Sequence, residues 1–191
     1  MNYKIILASN SPRRKELLKG LDIDFEVRII SDIDETFPSD IPPNEIPVFL
    51  ARKKADVYCA TMKPDELIIT ADTVVVLDND ILEKPADRED AIRMLQRLSG
   101  QKHQVITAVA LTTTAKRTEF SVISTVDFAE LTDEEIEYYV ERYKPFDKAG
   151  AYGIQEWIGY VGVRSIEGSF YNIMGLPIQR LYQELKNIYF C

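Results

Sequence analysis

The chain lacks the features that mark membrane, secreted and zinc-dependent proteins. None of its apolar runs approaches the roughly 20 residues that a membrane-spanning helix requires. Its two cysteines, Cys59 and Cys191, form no CxxC pair or disulfide framework, and the first residues show no signal-peptide pattern. We therefore expect a reducing, cytoplasmic location. The single histidine, His103, excludes a multi-histidine zinc site and argues against a Ser-His-Asp triad.

A basic excess is also missing. The chain has 23 Lys and Arg residues against 31 Asp and Glu residues, a net charge of −8. Nucleic-acid binders usually present a basic face to the phosphate backbone, so we expect no nucleic-acid partner. The short basic clusters at 13–15 and 52–54 suit a small polyanion in a pocket better. The patterns GxxxxGK[ST] and GxGxxG are absent, which excludes P-loop and dinucleotide-binding folds.

The chain has 191 residues, and its hydrophobic fraction of 46% is typical of a globular protein. Apolar periodicity and turn residues predict a mixed order of helices and strands, without the steady alternation of a doubly wound sheet. The predicted strands are 4–8, 25–30, 67–77 with a short return after a turn at 78–80, 103–113 paired with 118–129, and 158–164. The predicted helices are 12–20, 45–61, 87–100, 132–143 with a capping box, and 176–188.

The first strand leads into the first helix through the stretch SNSPRR, residues 9–14. Ser11 is a plausible N-cap, and the free N–H groups of a helix start together with the guanidinium groups of Arg13 and Arg14 favour a phosphate site. A capped, solvated helix start is the alternative. Two cations in a first turn oppose the helix dipole by about 0.3–1 kcal/mol each, a cost that a bound anion would offset.

Asp72 interrupts the apolar strand Leu67–Leu77. A carboxylate there is costly unless it is hydrogen-bonded, paired or bound to metal. The residue is therefore either a structural, hydrogen-bonded Asp or a metal ligand or general base.

A proline-rich acidic loop brings three carboxylates within residues 32–35. Such a group could hold Mg²⁺, which binds through a few carboxylates and substrate phosphates, although acidic loops are usually just solvated. Lys53, Lys54 and Lys84 add cations close to these acidic segments in sequence, and each alone is typical of a solvated surface. Together with Asp72, these residues fit metal-assisted phosphoryl chemistry.

Five blocks in matching order, spread over roughly residues 4 to 185, resemble the Maf family of nucleoside triphosphate pyrophosphatases: LASNSPRRKELL, ADTVVVLDNDILEKP, AIRMLQRLSGQKHQVITAVAL, DKAGAYGIQ and GSFYNIMGLPI. The resemblance implies one Maf-type α/β domain over 1–191, related to inosine triphosphate pyrophosphatases, with a twisted mixed sheet and two lobes around a cleft. It also implies hydrolysis of a nucleoside triphosphate to the monophosphate and pyrophosphate with Mg²⁺ or Mn²⁺, and a homodimer.

The resemblance also implies roles for single residues. Asp72 would be the proton acceptor and, with Glu35, would hold the metal, with Asp34 as the alternative to Glu35. The phosphates would be contacted by Ser9, Arg13, Arg14, Lys54 (or, in place of Lys54, its neighbour Lys53) and Lys84.

The family splits by substrate, and three positions separate its branches. Arg13, Thr73 and Gln155 match the branch that acts on dTTP and UTP. The other branch has Trp, Gln and Glu at these positions and prefers 7-methyl-GTP. Physical chemistry agrees, because a neutral amide can donate to and accept from a pyrimidine edge, whereas a cationic methylated guanine suits an aromatic face and a carboxylate. Two alternatives stay open: a purine nucleotide pyrophosphatase and a nucleotide-binding regulator of septum formation.

Overall fold

The computed structural model describes residues 3–189 and shows a mixed α/β fold. Its strands are β1 (Lys4–Leu7), β2 (Phe25–Val27), β3 (Glu66–Leu77), β4 (Asp80–Leu82), β5 (Lys102–Thr112), β6 (Arg117–Phe128) and β7 (Val163–Glu167). Its helices are α1 (Pro12–Lys19), α2 (Ile46–Cys59), α3 (Arg88–Leu98), α4 (Asp133–Tyr143), α5 (Trp157–Gly162), α6 (Phe170–Ile173) and α7 (Ile178–Tyr189), with a 3₁₀ turn at Ala149–Ala151. Cys191 lies outside the described residues.

The strands form one mixed sheet in the order β2-β1-β3-β5-β6-β7, with β4 paired to β3. Strand β1 runs parallel to both of its neighbours, β2 and β3. The pairs β3–β4 and β6–β7 are antiparallel. The predicted fold class, a mixed sheet with helices, is confirmed.

The chain divides into two compact units. Unit 1 comprises the described parts of 1–72, 107–122 and 175–191, and unit 2 comprises 73–106 and 123–174. In unit 1, Tyr58 of α2 packs with the apolar side chains of Ile6 and Ile68 from β1 and β3. In unit 2, a larger core joins α3, α4 and the strands, and it includes the fully buried Leu95 and Phe128. A single domain over 1–191 stays a prediction.

Local capping signals explain where several helices begin. The Ser11 hydroxyl accepts a hydrogen bond from the Arg14 N–H at the start of α1. Thr132 and Glu135 form the predicted capping box of α4, in which each side chain accepts a hydrogen bond from the other residue's backbone N–H. The described residues contain no helix with the length and apolarity needed to span a membrane.

The predicted strand at 158–164 is wrong. This stretch forms helix α5, and strand β7 begins only at Val163. Helix α5 has six residues and buries Ile158 and Gly162, one turn apart. A run this short does not distinguish helix from strand by periodicity. The four-residue helix α6 was not predicted, since it is barely one turn long.

Candidate active site

The segment between β1 and α1 carries the first candidate residues. Ser9 is buried, and its hydroxyl accepts a hydrogen bond from the Ser11 N–H at 3.2 Å. Since Ser11 in turn caps α1, this segment is fixed by two successive side-chain bonds to the backbone. Arg13 and Arg14, both half-buried, follow in the first turn of the helix.

Arg14 connects α1 to two distant parts of unit 1. Its guanidinium donates from Nε to the Gly175 carbonyl and from Nη1 to the Ala71 carbonyl, both at 2.8 Å. Desolvation lowers the pKa of Arg14, while the negative charge of Asp72 acts in the opposite direction. Arg14 is therefore bonded to the backbone next to Asp72 and interacts with the Asp72 carboxylate charge. It is not a solvated surface cation.

Lys54 of α2 joins two of the candidate carboxylates. Its Nζ lies 2.7 Å from Asp72 Oδ1 and 3.2 Å from Glu35 Oε1. The Lys54 and Asp72 side chains are only 13% and 10% exposed, whereas Glu35 is 48% exposed. Asp72 sits in the middle of β3, where a buried carboxylate needs such a partner.

The neighbouring lysine makes a separate set of contacts. Lys53 Nζ donates to Asp34 Oδ2 at 2.7 Å and to the Thr36 carbonyl at 2.9 Å. Asp34 also accepts from the Thr36 N–H, and these bonds hold the pKa of Asp34 below its usual range. Adjacent lysines of α2 thus hold adjacent carboxylates of the acidic loop, and Glu35 is the one that shares Lys54 with Asp72.

The start of the acidic loop is anchored by residues that sequence reasoning missed. The Tyr58 hydroxyl accepts from the Ile30 N–H and donates to the Arg28 carbonyl, both at 2.9 Å. Arg28 forms a two-pronged ion pair with the fully buried Glu66, with N–O distances of 2.9 and 2.5 Å. This pairing lowers the pKa of Glu66 to about 2. No local pattern marks these residues, because their partners lie 28 to 38 positions apart in the chain.

The other candidates belong to unit 2. Thr73 directly follows Asp72 in β3, and Lys84 is exposed shortly after β4. Gln155 lies in the turn before α5, and its Oε1 is buried with no hydrogen-bond partner among residues 3–189. The structure thus joins Arg14, Glu35, Lys54 and Asp72 within unit 1, while Thr73, Lys84 and Gln155 are parts of unit 2.

Across the described residues, no group of three or more His, Cys, Asp or Glu side chains could hold a metal ion by itself. Glu35 and Asp72 nevertheless approach the same ammonium group, so two hard oxygen donors converge on one cationic position. Mg²⁺ is commonly held by one or two carboxylates with substrate phosphates and water completing its shell. This donor set fits such a shared site.

His103 lies apart from these charges, in the core of unit 2. It is 2% exposed, and its Nε2 lies 2.7 Å from the Tyr152 hydroxyl. Its ring also meets the Phe128 ring edge-on. Burial lowers the pKa of His103 to about 4, so it is neutral at physiological pH. These contacts describe a core residue.

Comparison with solved structures defines the class of fold. The Ham1 protein of Staphylococcus aureus has a TM-score of 0.54 at 19% identity, over 95% of this chain and 99% of that one. A HAM1 protein from Coxiella burnetii has a TM-score of 0.50 at 14% identity, over 97% of this chain and 99% of that one. This protein therefore shares the mixed α/β fold of the Ham1 proteins.

Sequence comparison identifies the family. The family model for Maf-like protein matches residues 4–188. A Parabacteroides distasonis protein named dTTP/UTP pyrophosphatase is 63% identical over 185 residues, which is 97% of this chain and 96% of its relative. A protein of the same name from Flavobacterium psychrophilum is 50% identical over 186 residues, 97% of this chain and 95% of that protein. The chain belongs to the Maf family, which confirms the resemblance stated above.

Proposed function

We propose that this protein hydrolyses dTTP and UTP to the nucleoside monophosphate and pyrophosphate. Full-length relatives that are 63% and 60% identical carry this activity in their names, in agreement with the nucleotide pyrophosphatase expected from the sequence. The observation that carries the proposal is the convergence of Asp72 and Glu35 on Lys54, with Arg14 bonded to the carbonyl next to Asp72. This is a cluster of carboxylates and cations suited to triphosphate chemistry.

In the proposed reaction, Asp72 accepts a proton from the attacking water. The water oxygen bonds to the α-phosphorus, and the bond from that phosphorus to the oxygen bridging to the β-phosphorus breaks. The electron pair of the broken bond leaves with pyrophosphate. Lys54 holds the Asp72 carboxylate 2.7 Å from its ammonium group, which orients the carboxylate before substrate arrives.

The metal ligands we propose are Asp72 and Glu35, with Mg²⁺ or Mn²⁺ as the cation. Such a cation supplies positive charge that stabilises the negative charge developing on the phosphates. Glu35 is favoured over Asp34 because Asp34 is bonded to Lys53 and Thr36, whereas Glu35 shares Lys54 with Asp72. For the same reason Lys54 is favoured over Lys53 as the phosphate-binding lysine.

The remaining assignments divide between binding and selection. Ser9, Arg13, Arg14, Lys54 and Lys84 are proposed to contact the phosphates, which need cationic neutralisation when two of them leave together. Arg13, Thr73 and Gln155 are proposed to select the substrate. A cytoplasmic location and a homodimer remain proposals from the sequence. A role in cell division is not needed to explain any of these residues.

The test is hydrolysis of UTP in ¹⁸O-labelled water with Mg²⁺ or Mn²⁺. Attack at the α-phosphorus places the label in UMP and leaves pyrophosphate unlabelled. Labelled orthophosphate, or accumulation of UDP, would show a different reaction. Of the proposal, only the binding of the nucleotide would then stand. Running 7-methyl-GTP and dTTP beside UTP tests the substrate branch, since faster turnover of 7-methyl-GTP would contradict the pyrimidine assignment.

A further inference from the structure

Three polar side chains of unit 2, here called the Tyr139 network, connect helix α4 to the turn that carries Gln155. They are Tyr139, Glu156 and Lys148. The Tyr139 hydroxyl donates to Glu156 Oε2 and accepts from the Gly153 N–H at 2.9 Å. Lys148 Nζ lies 3.2 Å from Glu156 Oε1. Tyr139 is fully buried, Lys148 is 8% exposed and the Glu156 side chain is 19% exposed, so the network is largely buried.

Capping does not explain the network. Glu156 occupies the N-cap position of α5, yet its side chain makes no capping bond to that helix. Its carboxylate is directed to Tyr139 and Lys148 instead. Burying such an ion pair is often no more stabilising than an apolar replacement. A role in positioning the backbone explains the network better, because the Tyr139 hydroxyl fixes the N–H of Gly153.

Gly153 in turn controls where the Gln155 amide lies. A Cβ at position 153 would stand 3.1 Å from Gln155 Nε2 and 2.8 Å from Glu156 Cδ, so the amide packs directly over this glycine. The Glu156 N–H closes the turn by donating to the Gly153 carbonyl at 2.9 Å. On the other side, Tyr152 is held by its hydrogen bond to His103. The turn that presents Gln155 is therefore fixed at both of its ends.

Gln155 Oε1 is buried and has no hydrogen-bond partner in the described chain. A buried acceptor without a donor is destabilising, and a ligand N–H would satisfy it. Uracil and thymine carry one such donor, the ring N3–H, between their two carbonyl groups. Oε1 is therefore an acceptor whose hydrogen bond is not supplied within the described chain.

We propose that the Tyr139 network holds Gln155 so that its Oε1 accepts a hydrogen bond from the pyrimidine N3–H. Tyr139, Glu156 and Lys148 are then positioning residues for substrate selection, and they act through Gly153 and Gln155. The inference rests on the proposed function, since it takes dTTP or UTP as the ligand.

The experiment compares kcat/KM for UTP with that for N3-methyl-UTP, in which a methyl group replaces the N3 hydrogen. The wild-type enzyme should prefer UTP by about 10-fold or more, because a site built around one hydrogen bond rejects an analogue that lacks it. In Tyr139→Phe, which removes only the hydroxyl, this preference should fall several-fold. The KM for UTP should rise more than kcat falls, since the chemical groups of unit 1 are unchanged.

The matched control is Tyr143→Phe. Tyr143 lies on the same helix, and its ring stacks on the Tyr139 ring with 5.1 Å between the ring centroids. The substitution therefore removes a neighbouring tyrosine hydroxyl and leaves the bonds from Tyr139 to Gly153 and Glu156 in place. Its preference for UTP should equal the wild-type value. If Tyr139→Phe does not fold, Glu156→Gln, which keeps the side-chain length and removes the charge that faces Lys148, is judged by the same ratio.

The outcomes separate the inference from the proposed function. If the wild-type enzyme releases no pyrophosphate from UTP, the proposed function fails. If it does so without preferring UTP over the methylated analogue, the Gln155 contact is wrong. An unchanged preference in folded Tyr139→Phe, or an equal loss in Tyr143→Phe, overturns the positioning role.

Discussion

The two units use buried polar groups in different ways. In unit 1, Lys54 is shared between Asp72, which is 10% exposed, and Glu35, which is 48% exposed. In unit 2, Tyr139 is fully buried and bonds to Glu156 and to the Gly153 backbone. A partly open charge cluster can exchange its partners for those of a ligand, whereas an interior network of this kind holds one geometry. We infer that the charge cluster of unit 1 serves phosphate chemistry and that the Tyr139 network of unit 2 holds a neutral amide.

The largest expected effect concerns the charge cluster of unit 1. Asp72→Asn keeps the shape of the side chain but removes the proton acceptor, so pyrophosphate release from UTP should fall about 10²–10⁴-fold. The chain should remain folded, because Asn can still accept from Lys54. The control is Asp40→Asn, on the exposed loop before α2, which should behave like the wild type. Near-normal turnover by folded Asp72→Asn would remove Asp72 from the mechanism.

The second effect tests whether His103, in the core of unit 2, is protected from protonation in the folded state. His103 is held neutral with a pKa of about 4, against an ordinary value of 6.5. As pH falls through 6.5 toward 4, the unfolded chain binds a proton that the folded chain does not, so stability is lost across this window. The loss attributable to His103 should be on the order of 3 kcal/mol.

Urea unfolding at several pH values measures this loss. Carboxylates also titrate in the window, so His103→Gln is the reference, and the difference between the two pH slopes isolates the imidazole. Since His103 is the only histidine in the chain, no second imidazole confuses the result. Equal slopes in the two proteins would mean that the ring is accessible to protons in the folded state.

The smallest of the three effects sharpens the role of Arg14. If Arg14 were only a cation in the first turn of α1, Arg14→Ala would slightly raise stability by relieving the helix dipole. Its bonds to the Gly175 and Ala71 carbonyls lead to the opposite expectation, a loss of about 1.5–3 kcal/mol. Thermal unfolding measures the change, and Lys15→Ala, the next residue of the same helix, reports the dipole effect by itself. A higher Tm for Arg14→Ala would show that the two bonds contribute little.

Local features of this fold were readable from the sequence. Ser11 before Pro12 marks the start of α1, and Thr132 three residues before Glu135 marks the start of α4, because each cap joins residues within one helical turn. The long apolar strand around Asp72 and the paired strands β5 and β6 were predicted from their apolar residues and flanking turns. The family was readable because its motifs are spread in order over most of the chain. The helix at Trp157–Gly162 was misread because six residues are too few to display a period.

The sequence by itself determined which residue types could serve a triphosphate, but only the tertiary structure decided their partners. Asp34 and Glu35 are chemically similar neighbours, as are Lys53 and Lys54, and nothing local distinguishes them. Their pairing depends on how the acidic loop meets α2, across 19 positions of chain in both pairs. The link from Arg14 to Gly175 spans 161 positions, and Tyr139 of α4 reaches Gly153 in the segment before α5. Such contacts depend on the packing of whole elements, which no short stretch of residues encodes.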